Sequence, residues 1–126
     1  MSDPVRILIA DSNAASAELV RGHLESLGHY VDWARDGDHA LALAAAGEYQ
    51  VMLLDVHMQS YRGVDVIRRM HLLMGRRMRV VAITKDRMAA IREELQRMGV
   101  DGFLTRPVDL AQLQDELTRV LAKNKK

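Results

Sequence analysis

Cysteine is absent from this chain. Disulfides and thiolate zinc sites are thereby excluded. An excess of charge is absent too: 18 lysines and arginines meet 17 acids, for a formal net charge of +1. That balance gives no global case for nucleic acid or an anionic membrane as partner. No apolar run is long enough to span a bilayer. The opening Met1-Ser2-Asp3-Pro4 has no basic segment followed by an apolar stretch, so no secretory signal is expected. The five histidines, His23, His29, His39, His57 and His71, show no metal-ligand spacing. They read as surface or half-buried residues, with His57 flanking whatever lies beyond the third strand. Repeats, linkers and low-complexity segments are also missing. A cytoplasmic globular domain is the expectation that remains.

The 126 residues are 48% hydrophobic, enough for one domain with a real core. Val5–Ala10 reads as a β-branched strand. Asp11, Ser12 and Asn13 follow as N-cap candidates, and Ser12 taken alone reads as a cap. A helix over 14–27 carries Ala15, Leu19, Val20, His23, Leu24 and Leu27 at helical spacing, and Gly28 stops it. Tyr30–Ala34 alternates as an edge-like strand does. Asp36-Gly37 gives a turn and a cap, and Ala40–Ala46 is helical as far as Gly47. Val51–Asp55 is an apolar run closed by a carboxylate, a strand buried on both faces. A polar loop over 57–63 contains the lone apolar Met58. The next helix, over 64–74, presents Val64, Ile67, Met70, His71 and Met74, and Gly75 ends it. Met78–Ile83 is a fourth strand, ending at Thr84. A helix over 88–98 sets Ile91, Leu95 and Met98 on one side, with Gly99 after it. Gly102–Thr105 is a short fifth strand, followed by Arg106-Pro107. Asp109 with Gln112 makes a capping-box signal for a last helix over 110–121. Residues 123–126 form a solvated tail.

Strict alternation of strand and helix predicts an α/β domain, a doubly wound five-stranded parallel sheet with helices on both faces. The helices cannot all pack on one face, so the winding reverses, and the reversal opens a crevice at the carboxyl ends of the strands. The residues just past strands one, three, four and five are Asp11 with Ser12, Asp55, Thr84 and Arg106. Where those strands lie together, these side chains converge. Alone, Asp55 reads as a turn cap and Thr84 as an ordinary strand end. Together they read differently. Two carboxylates with a hydroxyl suit a hard cation such as Mg²⁺. A carboxylate can also attack phosphorus and become an aspartyl phosphate. A hydroxyl and a guanidinium can hold the phosphoryl oxygens. The set therefore points to phosphoryl acceptance on Asp55. Neither a GxGxxG loop nor a P-loop follows strand one, because Ala10-Asp11-Ser12-Asn13-Ala14 has no glycine.

On these residues the chain resembles a response-regulator receiver domain, the phospho-acceptor half of two-component signalling. The resemblance covers nearly the whole chain. It rests on Asp55-Val56-His57-Met58-Gln59-Ser60-Tyr61-Arg62-Gly63, with Met58 and Gly63 in place and Gln59 where a proline is usual. It rests also on Ala34-Arg35-Asp36-Gly37 with Ala40-Leu41, on Val80-Val81-Ala82-Ile83-Thr84, and on Arg106-Pro107. A flavodoxin-like (βα)5 fold with strand order 2-1-3-4-5 over residues 1–126 is implied. So is a role for each site residue. Asp55 corresponds to the phospho-acceptor, and Asp11 with Asp55 to the holders of Mg²⁺. Thr84 corresponds to the hydroxyl residue that moves toward the phosphoryl group. Phe103 stands at the aromatic switch position, without a phenol hydroxyl. Two positions depart from the family: Ser12 replaces a second acid, and Arg106 replaces a lysine. A missing charged ligand implies a weak Mg²⁺ site. A guanidinium can grip a carboxylate in two places, so Arg106 is expected to pair with Asp55 and stand in partly for the metal.

The implied partners are a histidine kinase or phosphotransfer protein, and a downstream protein whose binding phosphorylation switches. A second copy of the chain is a further candidate. The resemblance implies no enzyme beyond self-catalysed phosphoryl uptake and hydrolysis on Asp55. One alternative is a pseudo-receiver, an interaction module independent of phosphorylation. Another is a small flavin-binding or α/β enzyme domain, although no flavin phosphate loop is visible. Six arginines between Arg62 and Arg79, against the single acid Asp65, make a local basic patch. Its Arg76–Arg79 part is expected at the end of the sheet opposite the crevice, which argues against nucleic acid.

Overall fold

The computed structural model describes residues 4–58, 63–74, 78–85 and 89–122. Strands and helices alternate along the chain: β1 (Arg6–Ala10), α1 (Ala14–Ser26), β2 (Tyr30–Ala34), α2 (Gly37–Ala46), β3 (Val51–Asp55), α3 (Gly63–Met74), β4 (Arg79–Thr84), α4 (Ala89–Arg97), β5 (Gly102–Thr105) and α5 (Leu110–Leu121). Every strand pairing is parallel, and the sheet order is β2-β1-β3-β4-β5. The doubly wound sheet and its expected order are both observed.

Alternation along the strands sorts the core into two layers, because successive side chains point to opposite faces. Leu8, Met52, Leu54, Val80 and Ala82 pack with Ala40, Leu41, Ile67, Met70 and Leu95, on the side of α2, α3 and α4. Ile7, Ile9, Val51, Leu53, Val81 and Ile83 pack with Val20, Leu24, Leu113, Leu117 and Val120, on the side of α1 and α5. Strands β1, β3 and β4 are thus covered on both faces, which is why they read as continuous apolar runs. Each fully buried aliphatic side chain contributes roughly 1.5–3 kcal/mol through removal of apolar area from water. Strand β2 lies at one border of the sheet; it exposes Tyr30 and Asp32 and buries Val31 in one layer and Ala34 in the other, so its last residue departs from strict alternation of exposed and buried positions.

Some details differ from the sequence expectation. Helix α1 buries Ala17, Val20 and Leu24, while Leu19 is 57% exposed and Leu27 45%. Residues 17, 20 and 24 share one helical face, Leu19 lies on the far side of the cylinder, and Leu27 is the C-cap beyond the last turn. Asn13, not Ser12, caps α1, accepting the Ser16 N–H at 3.0 Å; Ser12 is exposed. Helix α2 starts at Gly37, ahead of the expected Ala40, because the Asp36 side chain accepts the His39 N–H at 2.8 Å. Asp109 caps α5 as expected, accepting the Ala111 and Gln112 N–H groups. In α3, Val66 is buried beside Ile67 and Met70. Gly28 and Gly99 follow α1 and α4 with φ of 92° and 93°, a left-handed conformation that glycine adopts without a Cβ penalty. Residues 59–62 with Gln59 and Arg62, then Gly75, Arg76, Arg77, Met88 and 123–126, lie outside the described residues, as do the side chains of Val64 and Met74. Among the described residues no helix is long and apolar enough to cross a membrane.

Candidate functional site

Parallel pairing brings the carboxyl ends of the strands to one end of the sheet. The chain leaves β1 toward β2 on one side and returns to β3 on the other, so the switch point lies between β1 and β3. Asp11 follows β1 and Asp55 closes β3, one on each side of that point. Backbone bonds pin the loops that follow. The Asp11 N–H donates to the Ala34 carbonyl at 3.0 Å, the Val56 N–H to Ile83 at 3.1 Å, and the Arg106 N–H to Thr84 at 2.9 Å. The Trp33 indole donates to the Asp11 carbonyl at 2.8 Å.

Asp11, Asp55 and Thr84 are 1%, 6% and 1% exposed, and they are the buried polar side chains among the described residues. A carboxylate buried without partners is costly, so each must be met by donors. Asp11 Oδ1 accepts the Asn13 N–H at 2.9 Å, and Asp55 Oδ1 accepts the His57 N–H at 2.9 Å. Both Oδ2 atoms turn toward one nitrogen: Arg106 Nη2 lies 2.6 Å from Asp11 Oδ2 and 3.4 Å from Asp55 Oδ2. The other arm of the guanidinium, Nη1, donates to Ser16 Oγ at 2.8 Å. Thr84 Oγ1 lies 3.5 Å from His57 Nε2, at the same end of the sheet.

Asp11, Asp55 and Arg106 are therefore in direct contact, with Thr84 beside them through His57. The expected Arg106–Asp55 pair is present, but the shorter contact goes to Asp11, because Ser16 on the first turn of α1 draws the guanidinium to that side. Phe103 lies apart from this cluster. It is half-buried against the α4 side of the core, with the Arg92 guanidinium 4.8 Å from its ring centroid. Two neighbours of the site escape sequence reasoning. Ser16 could have been found as the first hydroxyl inside the helix that follows Asp11. Trp33 pairs in register with Ile9, one residue before β2 ends alongside β1.

Mg²⁺ takes oxygen ligands. The site offers the Oδ2 atoms of Asp11 and Asp55, the right kind of donor in small number. Among the described residues no group of three or more His, Cys, Asp or Glu is arranged to hold a metal ion. The donors fit a hard cation held by two carboxylates.

The response regulator receiver domain family matches residues 7–118. The chain belongs to that family. This receiver is 28% identical over 116 residues to the sensory/regulatory protein RpfC of Xanthomonas campestris pv. campestris, covering 90% of this chain and 16% of RpfC. It is 28% identical over 117 residues to the sensor histidine kinase RcsC of Escherichia coli, covering 93% of this chain and 12% of RcsC. The chain thus spans a small part of the curated relatives it matches. The crystallised receiver domain of a Pseudomonas aeruginosa sensor histidine kinase is 26% identical, with a TM-score of 0.85 over 96% of this chain and 100% of that one. That relative has a magnesium ion coordinated in its active-site cleft. The chemotaxis response regulator CheY4 of Vibrio cholerae, 24% identical over 94% of this chain and 99% of that one, shares the fold with a TM-score of 0.88. The chain is a receiver of two-component signal transduction.

Proposed function

We propose that this receiver accepts a phosphoryl group on Asp55 and thereby switches its affinity for a downstream protein. The observation that carries the proposal is the meeting of two buried carboxylates, from β1 and β3, at the switch point of the sheet. An Asp55 oxygen attacks the phosphorus of a phosphohistidine. The O–P bond forms and the P–N bond breaks. The electron pair leaves with the imidazole nitrogen, which takes a proton from solvent. Arg106 and Thr84 meet the phosphoryl oxygens as donors. Asp11 and Asp55 would hold Mg²⁺, which when bound would neutralise charge on those oxygens. Phe103, packed at the α4 side of β5, carries the change to the output face.

The donor is a histidine kinase or phosphotransfer protein, a reading supported by the sensor kinases among the relatives. A second copy of the chain is a further candidate partner. The five strands form one sheet with helices packed on both of its faces, which supports reading residues 1–126 as one receiver domain. We place it in the cytoplasm, where such kinases present phosphohistidine.

The test is incubation with acetyl phosphate in excess Mg²⁺, followed by intact mass. One added phosphoryl group is expected on the wild type and none on Asp55→Asn. Uptake that persists in Asp55→Asn, or no uptake from acetyl phosphate or any phosphorylated kinase, overturns the assignment and leaves the phosphorylation-independent module.

A further inference from the structure

We propose that Arg106 is a built-in counter-cation, holding the place between Asp11 and Asp55 that a divalent ion needs, and that Ser16 is the positioning residue that keeps it there. Each carboxylate has one oxygen committed to backbone, Asp11 Oδ1 to Asn13 and Asp55 Oδ1 to His57. The oxygens left for a ligand are the two Oδ2 atoms, and one nitrogen sits against both, at 2.6 Å and 3.4 Å. Mg²⁺ binds oxygen at about 2.0–2.1 Å. It cannot approach both Oδ2 atoms so closely while Nη2 lies between them. Mg²⁺ entry therefore requires Nη2 to leave. A guanidinium does not leave by losing its proton, so the whole cation must swing away.

Ser16 sets the cost of that swing. Its hydroxyl holds Nη1 at 2.8 Å, so the planar fork is fixed at both arms. Only 16% of the Arg106 side chain is exposed. The link joins the loop after β5 to the first turn of α1, and metal entry loosens it. Without metal the pocket thus sets one guanidinium against two carboxylates, and Mg²⁺ enters as a competitor of the protein's own side chain.

The inference rests on the reading above only for the identity of the cation, and its test involves no phosphoryl transfer. The chain has a single tryptophan, Trp33, which donates to the Asp11 carbonyl, so its emission reports on the site. Mg²⁺ titrations followed by Trp33 emission, and melting in EDTA and in Mg²⁺, compare the wild type with Ser16→Ala, Ser16→Thr, Arg106→Lys and Arg106→Ala. Removing the counter-cation leaves two carboxylates that a metal ion relieves, so Arg106→Ala should bind Mg²⁺ roughly tenfold or more tighter than the wild type. Its melting temperature should fall in EDTA and recover in Mg²⁺, while that of the wild type barely responds. Ser16→Ala should tighten Mg²⁺ binding by a smaller factor, and Ser16→Thr, which keeps the hydroxyl, should restore the wild-type value. Should Arg106→Ala fail to fold in EDTA, Arg106→Lys carries the comparison, since an ammonium cannot span Ser16 and both acids as the fork does. Equal Mg²⁺ affinity in the wild type and both Arg106 variants overturns the proposal, as does absence of Mg²⁺ binding in all of them. A Ser16→Ala protein that binds Mg²⁺ as the wild type does removes Ser16 from it. Failure of Asp55 to take up phosphate leaves these outcomes untouched.

Discussion

Leu19 and Leu24 belong to one helix and meet opposite fates: Leu24 is fully buried, whereas Leu19 is 57% exposed. Leu24→Ala should therefore cost about 2–5 kcal/mol, transfer and cavity terms together. Leu19→Ala should change stability by no more than about 0.5 kcal/mol, as exposed sites do. Urea denaturation of the two variants checks the difference. The sequence shows both leucines at helical spacing, and two apolar stripes interleave along α1. The buried stripe is Ala17, Val20 and Leu24, so Val20 and Leu24 of the expected set lie on it, while the bulkier Leu19 lies off it and the small Ala17 takes its place. Arg106 is a similar case. Its nearness to a carboxylate was legible from its place after the fifth strand. Which carboxylate it grips was not, because that depends on Ser16, a contact across 90 residues.

Strand β5 and helix α5 are tied by polar contacts. Gly102 makes their approach possible: a Cβ there would lie 2.8 Å from Glu116 Oε2 and 2.8 Å from Val120 Cγ2. Glu116 accepts the Phe103 N–H at 2.7 Å, and Arg119 donates to Glu116 at 2.8 Å and to the Asp101 carbonyl at 2.9 Å. The Arg119 hydrogen bond holds the Glu116 carboxyl below its ordinary value of 4.5; burial opposes the shift, and the Phe103 N–H adds to it. A depressed folded value means that the stabilisation is fully present above pH 4.5 and is lost as pH falls through the folded value. Glu116→Gln should lower the melting temperature at neutral pH and flatten its decline in acid. Melting curves from neutral pH downward check both. Nothing in the local sequence announces this tie, since Glu116 and Arg119 read as an ordinary solvated pair on a helix. The caps at Asp36 and Asp109, by contrast, were legible because their chemistry is local.

The fold was legible because the central strands are covered on both faces and so stand out as apolar runs between helices. Alternation gave parallel strands and two layers, while the order of the strands came from the resemblance to a family and not from the pattern. The site was legible for a related reason. In a parallel sheet every strand end faces the same way, so polar residues just past the strands are brought to one crevice. Coverage also orders local stability. Backbone amides of β1, β3 and β4 should exchange with solvent most slowly, opening only with global unfolding, and those of β2 and β5 sooner. Hydrogen exchange read by mass spectrometry checks this, and uniform rates across the sheet would contradict it. The contact between Glu116 and the Phe103 N–H also bears on how the molecule behaves in a crowd. β5 borders the sheet, and a bare strand border invites a foreign strand to pair and aggregate. Glu116 fills the Phe103 N–H and lays a carboxylate along that border. That donor is closed to an incoming strand, and the carboxylate beside it opposes edge-to-edge pairing, a use of Glu116 that owes nothing to signalling.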